Sequence, residues 1–303
     1  MKKKGEFRLT KHHGAGNDFL VILDPDDRRP LSAPGVRVLC DRHRGIGADG
    51  VLRVMSGRAG AVLSMELRNA DGGVAEMSGN GIRCLVQAAV DARWVAPGPV
   101  SVATAGGVRT VHYRRGDRPG LDFASVDMGP ATLGPELTPD RLLDGQLPAA
   151  LAGGIRFART VDMGNPHIVL FGEEVDDTTV ATIGRRLEHS VDGRANVEFV
   201  WPTAGSDTLT MRVWERGVGE TLACGTGTCA AAAAAHSWGL VGSVVTVHNP
   251  GGALEVELGT DGITLAGPTQ KVADIVVDTE TMSELTRTAA ALIPATDGVA
   301  SGP

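Results

Sequence analysis

Two short stretches decide how this chain folds. One is Ser78-Gly79-Asn80-Gly81, which opens an apolar run over 82–90; the other is Cys224-Gly225-Thr226-Gly227, which opens 228–235. Both have a small polar residue ahead of Gly-x-Gly and then a helix-prone run, the expected pattern of a helix entrance. They lie 146 residues apart. Nine residues before Ser78 stands Asn69, and nine before Cys224 stands Glu215. Further out, Gly16-Asn17-Asp18-Phe19 and Gly164-Asn165-Pro166-His167 each lead into an apolar run at an offset of 148, and Gly47-Ala48-Asp49 is echoed by Arg194-Ala195-Asn196 at 147. Landmarks in one order at nearly one offset mark an internal duplication. Its equivalent loops are expected to converge on one site.

The composition fits a turn-rich chain. Of 303 residues 42% are apolar and 41 are glycine. Short β-rich runs at 19–23, 50–55, 62–68, 100–103, 108–113, 120–128, 155–163, 167–171, 197–201, 208–215, 244–249, 253–258 and 262–266 are separated by Gly, Pro and Asp. Helices are expected at 35–42, 79–93, 177–189, 225–236 and 278–292. The alanines at 230–235 suit a helix threaded tightly through a β layer. A crossover at 127–130 and a return at 267–268 divide the chain into an N-terminal lobe of 1–127 plus 267–303 and a C-terminal lobe of 128–266, with a frayed tail over 294–303.

The net charge of −7 and the lack of a basic face beyond Lys2–Lys4 argue against nucleic acid as a partner. The basic start is not followed by an apolar segment, and no run approaches a membrane span, so a cytoplasmic protein without membrane contact is expected. Four cysteines in a chain of this length do not make a disulfide framework. A special cysteine is therefore expected to act chemically.

Cys224 qualifies. A helix N-terminus binds anions through its unpaired amides, and its dipole lowers a thiol pKa. Gly225 and Gly227 admit close approach of a ligand. With Ser78 at the symmetric turn, two amide cradles face one bound carboxylate, and each brings a proton-transfer group. Such a pair removes an α-proton from one face and returns a proton to the other, while the cradles hold the developing enediolate charge. Cys84 and Cys229 lie further into their helices and read as core residues.

The same residues resemble the diaminopimelate epimerase family. Asn69-Ala70-Asp71-Gly72 running into Met77-Ser78-Gly79-Asn80-Gly81-Ile82-Arg83-Cys84 is similar to its first signature. Glu215-Arg216-Gly217-Val218-Gly219 with Ala223-Cys224-Gly225-Thr226-Gly227 is similar to its second. The segments 13–19 and 164–167 match as well, so the likeness runs from about residue 8 to about residue 275. It implies an α+β fold of two pseudo-symmetric lobes, each a β-barrel-like sheet around a central helix. It also implies no cofactor, a homodimer, and stereoinversion of L,L-diaminopimelate to the meso form, a step toward lysine and peptidoglycan. By resemblance, Asn17, Asn69, Asn165, Asn196, Glu215 and Arg216 hold the distal amino-acid head, while Gly79, Asn80, Gly225 and Thr226 hold the reacting carboxylate. There are two departures. Gly50 stands where many relatives carry a Gln ligand, and Ser78 stands where the family has its first catalytic cysteine. A hydroxyl is far less acidic than a thiol. The alternative within the class is therefore a racemase or dehydratase for another amino acid with altered chemistry.

Other classes fit poorly. Pyridoxal phosphate needs a lysine in a glycine loop, and none of Lys2, Lys3, Lys4, Lys11 and Lys271 is so placed. The fingerprint-like 225–230 lacks a strand ending at its glycines. Cys40 and His43 have no second ligand pair for zinc. Ser78 lacks the flanking glycine of a nucleophile elbow. A non-catalytic sugar- or peptide-binding module is the remaining different-class reading, distinguished by its failure to exchange any α-proton.

Overall fold

The structure is a computed structural model that describes residues 6–138, 142, 153–190, 194–278, 280 and 287. Two equivalent hairpins set its plan. Strands β1 (Glu6–Gly14) and β2 (Asn17–Leu23) pair antiparallel, and so do β10 (Ile155–Asp162) and β11 (Pro166–Gly172). Each second strand then pairs parallel with the next: β2 with β3 (Gly50–Ser56) and β11 with β12 (Asn196–Pro202). A parallel pair needs a crossover. Helix α1 (Ala33–Cys40) supplies it in one half and α3 (Asp177–Glu188) in the other.

The repeat continues in register. β3 and β4 (Leu63–Asn69) are antiparallel, as are β12 and β13 (Thr208–Glu215). A short strand follows each, β5 (Val74–Ala75) and β14 (Gly219–Thr221). Next come α2 (Gly79–Asp91) and α4 (Gly225–Ser237). β4 pairs parallel with β6 (Gly98–Thr104), and β13 with β15 (Val244–Asn249). The hairpin from β6 to β7 (Gly107–Arg118) corresponds to that from β15 to β16 (Gly252–Leu258). β8 (Leu121–Gly129), β9 (Thr132–Glu136) and β17 (Ile263–Asp278) complete the chain order.

Two chain segments serve both lobes. β17 pairs with β16 near its start, with β8 along most of its first half, and with β1 over its second half. β8 joins β7 to β17, and β9 just beyond it pairs with β10. Each lobe thereby closes into a barrel-like sheet, and closure leaves no free strand edge at the seam. α2 lies against β1, β2, β3, β7, β8 and β17; α4 lies against β10, β11, β12, β13, β15, β16 and β17. This is the α+β fold of two lobes around central helices. Every residue of α2 from Gly79 to Val90 is buried, as is every residue of α4 from Gly225 to Ala235, so both helices are core elements. Among the described residues no helix is long and apolar enough to cross a membrane.

The registers refine the duplication. Phe19 is opposite Gly50, and His167 is opposite Asn196. The counterpart of Asn196 is therefore Gly50 and not Asp49, because the connection from Phe19 to Gly50 is two residues longer than that from His167 to Asn196. Gly267 and Pro268, where the chain is expected to return to the N-terminal lobe, lie within β17 and pair with Ala124 and Phe123. β1 carries too many polar residues to read as a strand, yet β2 and β17 flank it. α1 starts at Ala33 because the Ser32 hydroxyl caps the Gly35 amide, with a proline in the first turn. Of the helix expected over 278–292, Asp278 ends β17; most of the rest, like the tail over 294–303, lies outside the described residues.

At the centre the two helix entrances meet backbone to backbone. A Cβ placed on Gly225 lies 3.2 Å from Gly79 Cα, 3.3 Å from its N, and 3.1 Å from Leu265 Cδ2 of β17. Backbone on the far side cannot step aside as a side chain can. Gly225→Ala is expected to lower stability by about 1–3 kcal/mol through overpacking, read as a lower urea midpoint. An unchanged midpoint contradicts this contact.

Candidate active site

Ser78 and Cys224 are the N-caps of α2 and α4. Both have extended backbones, with φ/ψ of −146/117 and −119/118. Ser78 Oγ accepts from Gly81 N at 3.0 Å, and Cys224 Sγ accepts from Gly227 N at 3.4 Å. Each side chain thus satisfies the third amide of its helix. The earlier amides, those of Gly79, Asn80, Gly225 and Thr226, belong to the first turn, which has no intrahelical acceptor. Two positive dipole ends consequently face one space.

That space is a cavity of about 260 Å³. Ten of the twelve site residues expected from the sequence line it: Asn17, Asn69, Ser78, Asn165, Asn196, Glu215, Arg216, Cys224, Gly225 and Thr226. The other two, Gly79 and Asn80, are buried behind the wall. The Asn80 side chain is used internally. Its Nδ2 donates to Asn17 Oδ1 (3.3 Å) and to Ala223 O (3.2 Å), while its Oδ1 accepts from Arg83 Nη2 (2.7 Å). Arg83 is itself fully buried and donates to Gly79 O at 3.0 Å. This bond network clasps one helix entrance to the other.

The electrostatics differ from the sequence expectation of an acidified thiol. Cys224 is 6% exposed. Burial pushes its thiol well above the ordinary value, and the Glu215 and Glu198 carboxylates push the same way; the Thr226 hydroxyl and Gly227 amide oppose them and do not prevail. Ionisation of Cys224 is therefore disfavoured by its surroundings. Burial also pushes the Glu215 carboxyl up to about 7, against the hydroxyl of Thr221, which donates to it; Asp49 and Glu198 add to the rise.

Several residues at the site were not among those expected there from the sequence. Asp49 lines the cavity; its Oδ2 accepts from Asn17 Nδ2 (2.8 Å) and Asp18 N (3.0 Å), and its Oδ1 from Arg42 Nη2 (2.8 Å). Beside it, a Cβ on Gly50 would lie 2.8 Å from Arg68 O and 3.3 Å from the Phe19 ring, so this backbone has no room for a side chain there. Arg109 reaches the wall from β7, far from either signature. His167 and Glu198 pair behind Cys224, Nδ1 to Oε1 at 2.7 Å, both fully buried.

The model of the family described as diaminopimelate epimerase matches residues 9–134 and 159–272. The chain belongs to the diaminopimelate epimerase family. A diaminopimelate epimerase of Synechocystis sp. is 40% identical over 274 residues, covering 87% of this chain and 96% of the relative; one of Gloeothece citriformis is 39% identical with the same coverage. Among solved structures, a hydroxyproline epimerase from Agrobacterium vitis with bound trans-4-hydroxy-L-proline has a TM-score of 0.68 at 16% identity, covering 91% of this chain and 94% of that one. A Bacillus anthracis phenazine biosynthesis protein reaches 0.67 at 13% identity, covering 91% and 99%. At such identities the structures share the fold. The matched ranges span both signatures, 69–84 and 215–227.

The raised Glu215 pKa has a stability signature. Folding favours its protonated form, so the associated stability is fully present below about 4.5, its ordinary value, and is lost as pH rises through about 7. Glu215→Gln is expected to melt close to wild type near pH 4.5 and above it at pH 8. A melting difference that is the same at both pH values contradicts the assignment.

Proposed function

We propose that the protein is an isomerase that inverts the α-carbon of L,L-diaminopimelate to the meso form by two-base proton transfer without a cofactor, in the route to lysine and peptidoglycan precursors. The observation that carries this reading is the pair of N-capping acid–base groups on abutting helix entrances, both open to one cavity. The first-turn amides of α2 and α4 receive the carboxylate next to the reacting carbon. The ligand's ammonium offsets the burial and carboxylate charge that hold Cys224 protonated. Cys224 as thiolate then takes the α-proton, the amides hold the enediolate, and the Ser78 hydroxyl delivers a proton to the opposite face.

The distal head falls to Asn17, Asn69, Asn165, Asn196, Glu215 and Arg216. With Asp49 they make a rim of mixed donors and acceptors suited to a second ammonium and carboxylate. Another amino acid as substrate finds less support, because a simple side chain would leave these polar groups unmatched. The working protein is proposed to be a cytoplasmic homodimer, with lobes divided at 127/128 and 266/267.

In deuterium oxide, wild type is expected to exchange the α-proton of diaminopimelate and to leave lysine untouched; equal turnover of both overturns the substrate assignment. Cys224→Ala should abolish exchange. The Ser78 hydroxyl is too weak an acid to ionise near pH 7 but can donate to a carbanion. One stereoisomer should therefore exchange much faster than the other, and Ser78→Cys should raise epimerisation by about tenfold or more. Equal exchange of both isomers, unchanged by Ser78→Cys, would show that another group works that face.

A further inference from the structure

Helix α2 carries a charge that the proposed chemistry does not use. Arg83 is 0% exposed and is among the largest wholly buried side chains of the protein. All its partners are neutral. Nε donates to Pro268 O at 3.4 Å, Nη1 to Gly79 O at 3.0 Å and Nη2 to Asn80 Oδ1 at 2.7 Å. No carboxylate of the described residues pairs with it. Burial lowers its pKa to about 10, which leaves it a cation at neutral pH. The fold makes room for it: a Cβ on Gly14 would lie 2.9 Å from Arg83 Nη2, and one on Gly267 3.3 Å from the same atom. A buried charge without a counter-charge is costly to a fold, so its place in this core calls for a use.

The peptides it touches show where the charge acts. The C=O and N–H of a peptide are held in one plane and point opposite ways. Gly79 O shares its peptide with Asn80 N, a first-turn amide with no intrahelical acceptor. A donor on the carbonyl polarises the unit and strengthens the N–H at its other end. The second contact works in the same sense. Arg83 donates to Asn80 Oδ1, and Asn80 Nδ2 donates to Ala223 O at 3.2 Å, the carbonyl that shares a peptide with Cys224 N. One cation thus reaches the backbone of both helix entrances, through a single peptide on α2 and through the Asn80 amide across the seam.

The other lobe has no equivalent. Counted from the capping residues, the counterpart of Arg83 is Cys229, also fully buried. Burial pushes the Cys229 thiol up to about 12, so it is neutral. The duplication has therefore placed a full charge behind one entrance only.

We propose that Arg83 is a positioning residue that supplies the counter-charge for the reacting carboxylate, its guanidinium acting through the Gly79–Asn80 peptide and the Asn80 side chain on the amides that face the cavity. The inference rests on the epimerase reading for naming that anion as the substrate's carboxylate; a site charged in this way favours any small carboxylate next to Cys224.

The test uses two alkylating agents alike in size and unlike in charge, iodoacetate and iodoacetamide. In iodoacetate a carboxylate is bonded to the carbon that sulfur attacks, as the reacting carboxylate is bonded to the α-carbon. Substrate-free protein is treated with each at pH 8, and the Cys224 peptide is followed by mass. Changes in thiol acidity or exposure act on both reagents alike and cancel in the ratio of the two rates. Arg83→Met is expected to lower the iodoacetate-to-iodoacetamide ratio about tenfold, the order expected when one interior charge is removed near an anion. Arg83→Gln keeps an amide donor but no charge, and its ratio is expected to fall likewise. A ratio that stays at the wild-type level in both variants shows that Arg83 does not act on the anion; a fall in Arg83→Met alone shows that its hydrogen bonds matter and its charge does not. Either result overturns the proposal. Should one variant fail to fold by circular dichroism, the other decides, an unchanged ratio again overturning it. These readouts need no substrate. Failure of the epimerase reading shows separately, as wild-type protein that exchanges no deuterium into diaminopimelate.

Discussion

Two helix entrances in backbone contact are the constraint around which the molecule is arranged. Like dipole ends repel, and their approach is tolerated only because Gly79 and Gly225 leave nothing between them and because side chains clasp them. Asn80 donates across to Ala223 O, Arg83 holds Gly79 O, and Leu265 of β17 lies against both glycines. Two adjacent positive ends make a field that favours an anion between them. The geometry that makes the lobes meet is the geometry that creates the demand for an anion.

Around this shared centre the lobes have diverged in their cores. α2 fills its barrel with Ile82, Leu85 and Val86 and carries Arg83 and Gln87 in the interior, Gln87 Nε2 donating to Asp122 and to the Gly120 carbonyl. α4 presents a run of buried alanines and lets its sheet close in. Cys229 stands where Arg83 stands in the other half. The duplication has kept what a backbone must do and altered what side chains can vary.

The entrances of α2 and α4 were legible because a capping residue followed by Gly-x-Gly has few other uses, and two copies at one offset rule out coincidence. The strands of the repeat were legible from their apolar runs. β1 was not: its Arg8, Thr10, Lys11 and His12 hide a strand that only its partners reveal. The place before β3 where the offset falls from 148 to 146 could be seen only in the ladder, where Phe19 meets Gly50. Most of the site's residue list came from the signatures, but the thiol's acidity was misjudged. A helix dipole is visible in sequence, whereas the burial and the two carboxylates that outweigh it are brought to Cys224 by β12 and β13 from elsewhere in the chain. Arg109 and Glu198 were hidden for the same reason.

Under the acid–base roles proposed for residues 78 and 224, thermodynamics limits what their mismatch of oxygen and sulfur can do. A catalyst cannot move an equilibrium, so the ratio of kcat/KM for the two directions is fixed by the two isomers alone, whatever atoms sit at the turns. Any change that a hydroxyl in place of a thiol makes to one second-order constant is therefore matched by the same factor in the other. The asymmetry can surface only in how each direction divides that change between turnover and affinity, and in how often the carbanion returns to the face it came from. A protein with this pair commits each captured proton loosely in one sense and firmly in the other, like a ratchet whose teeth set the tempo but not the final position.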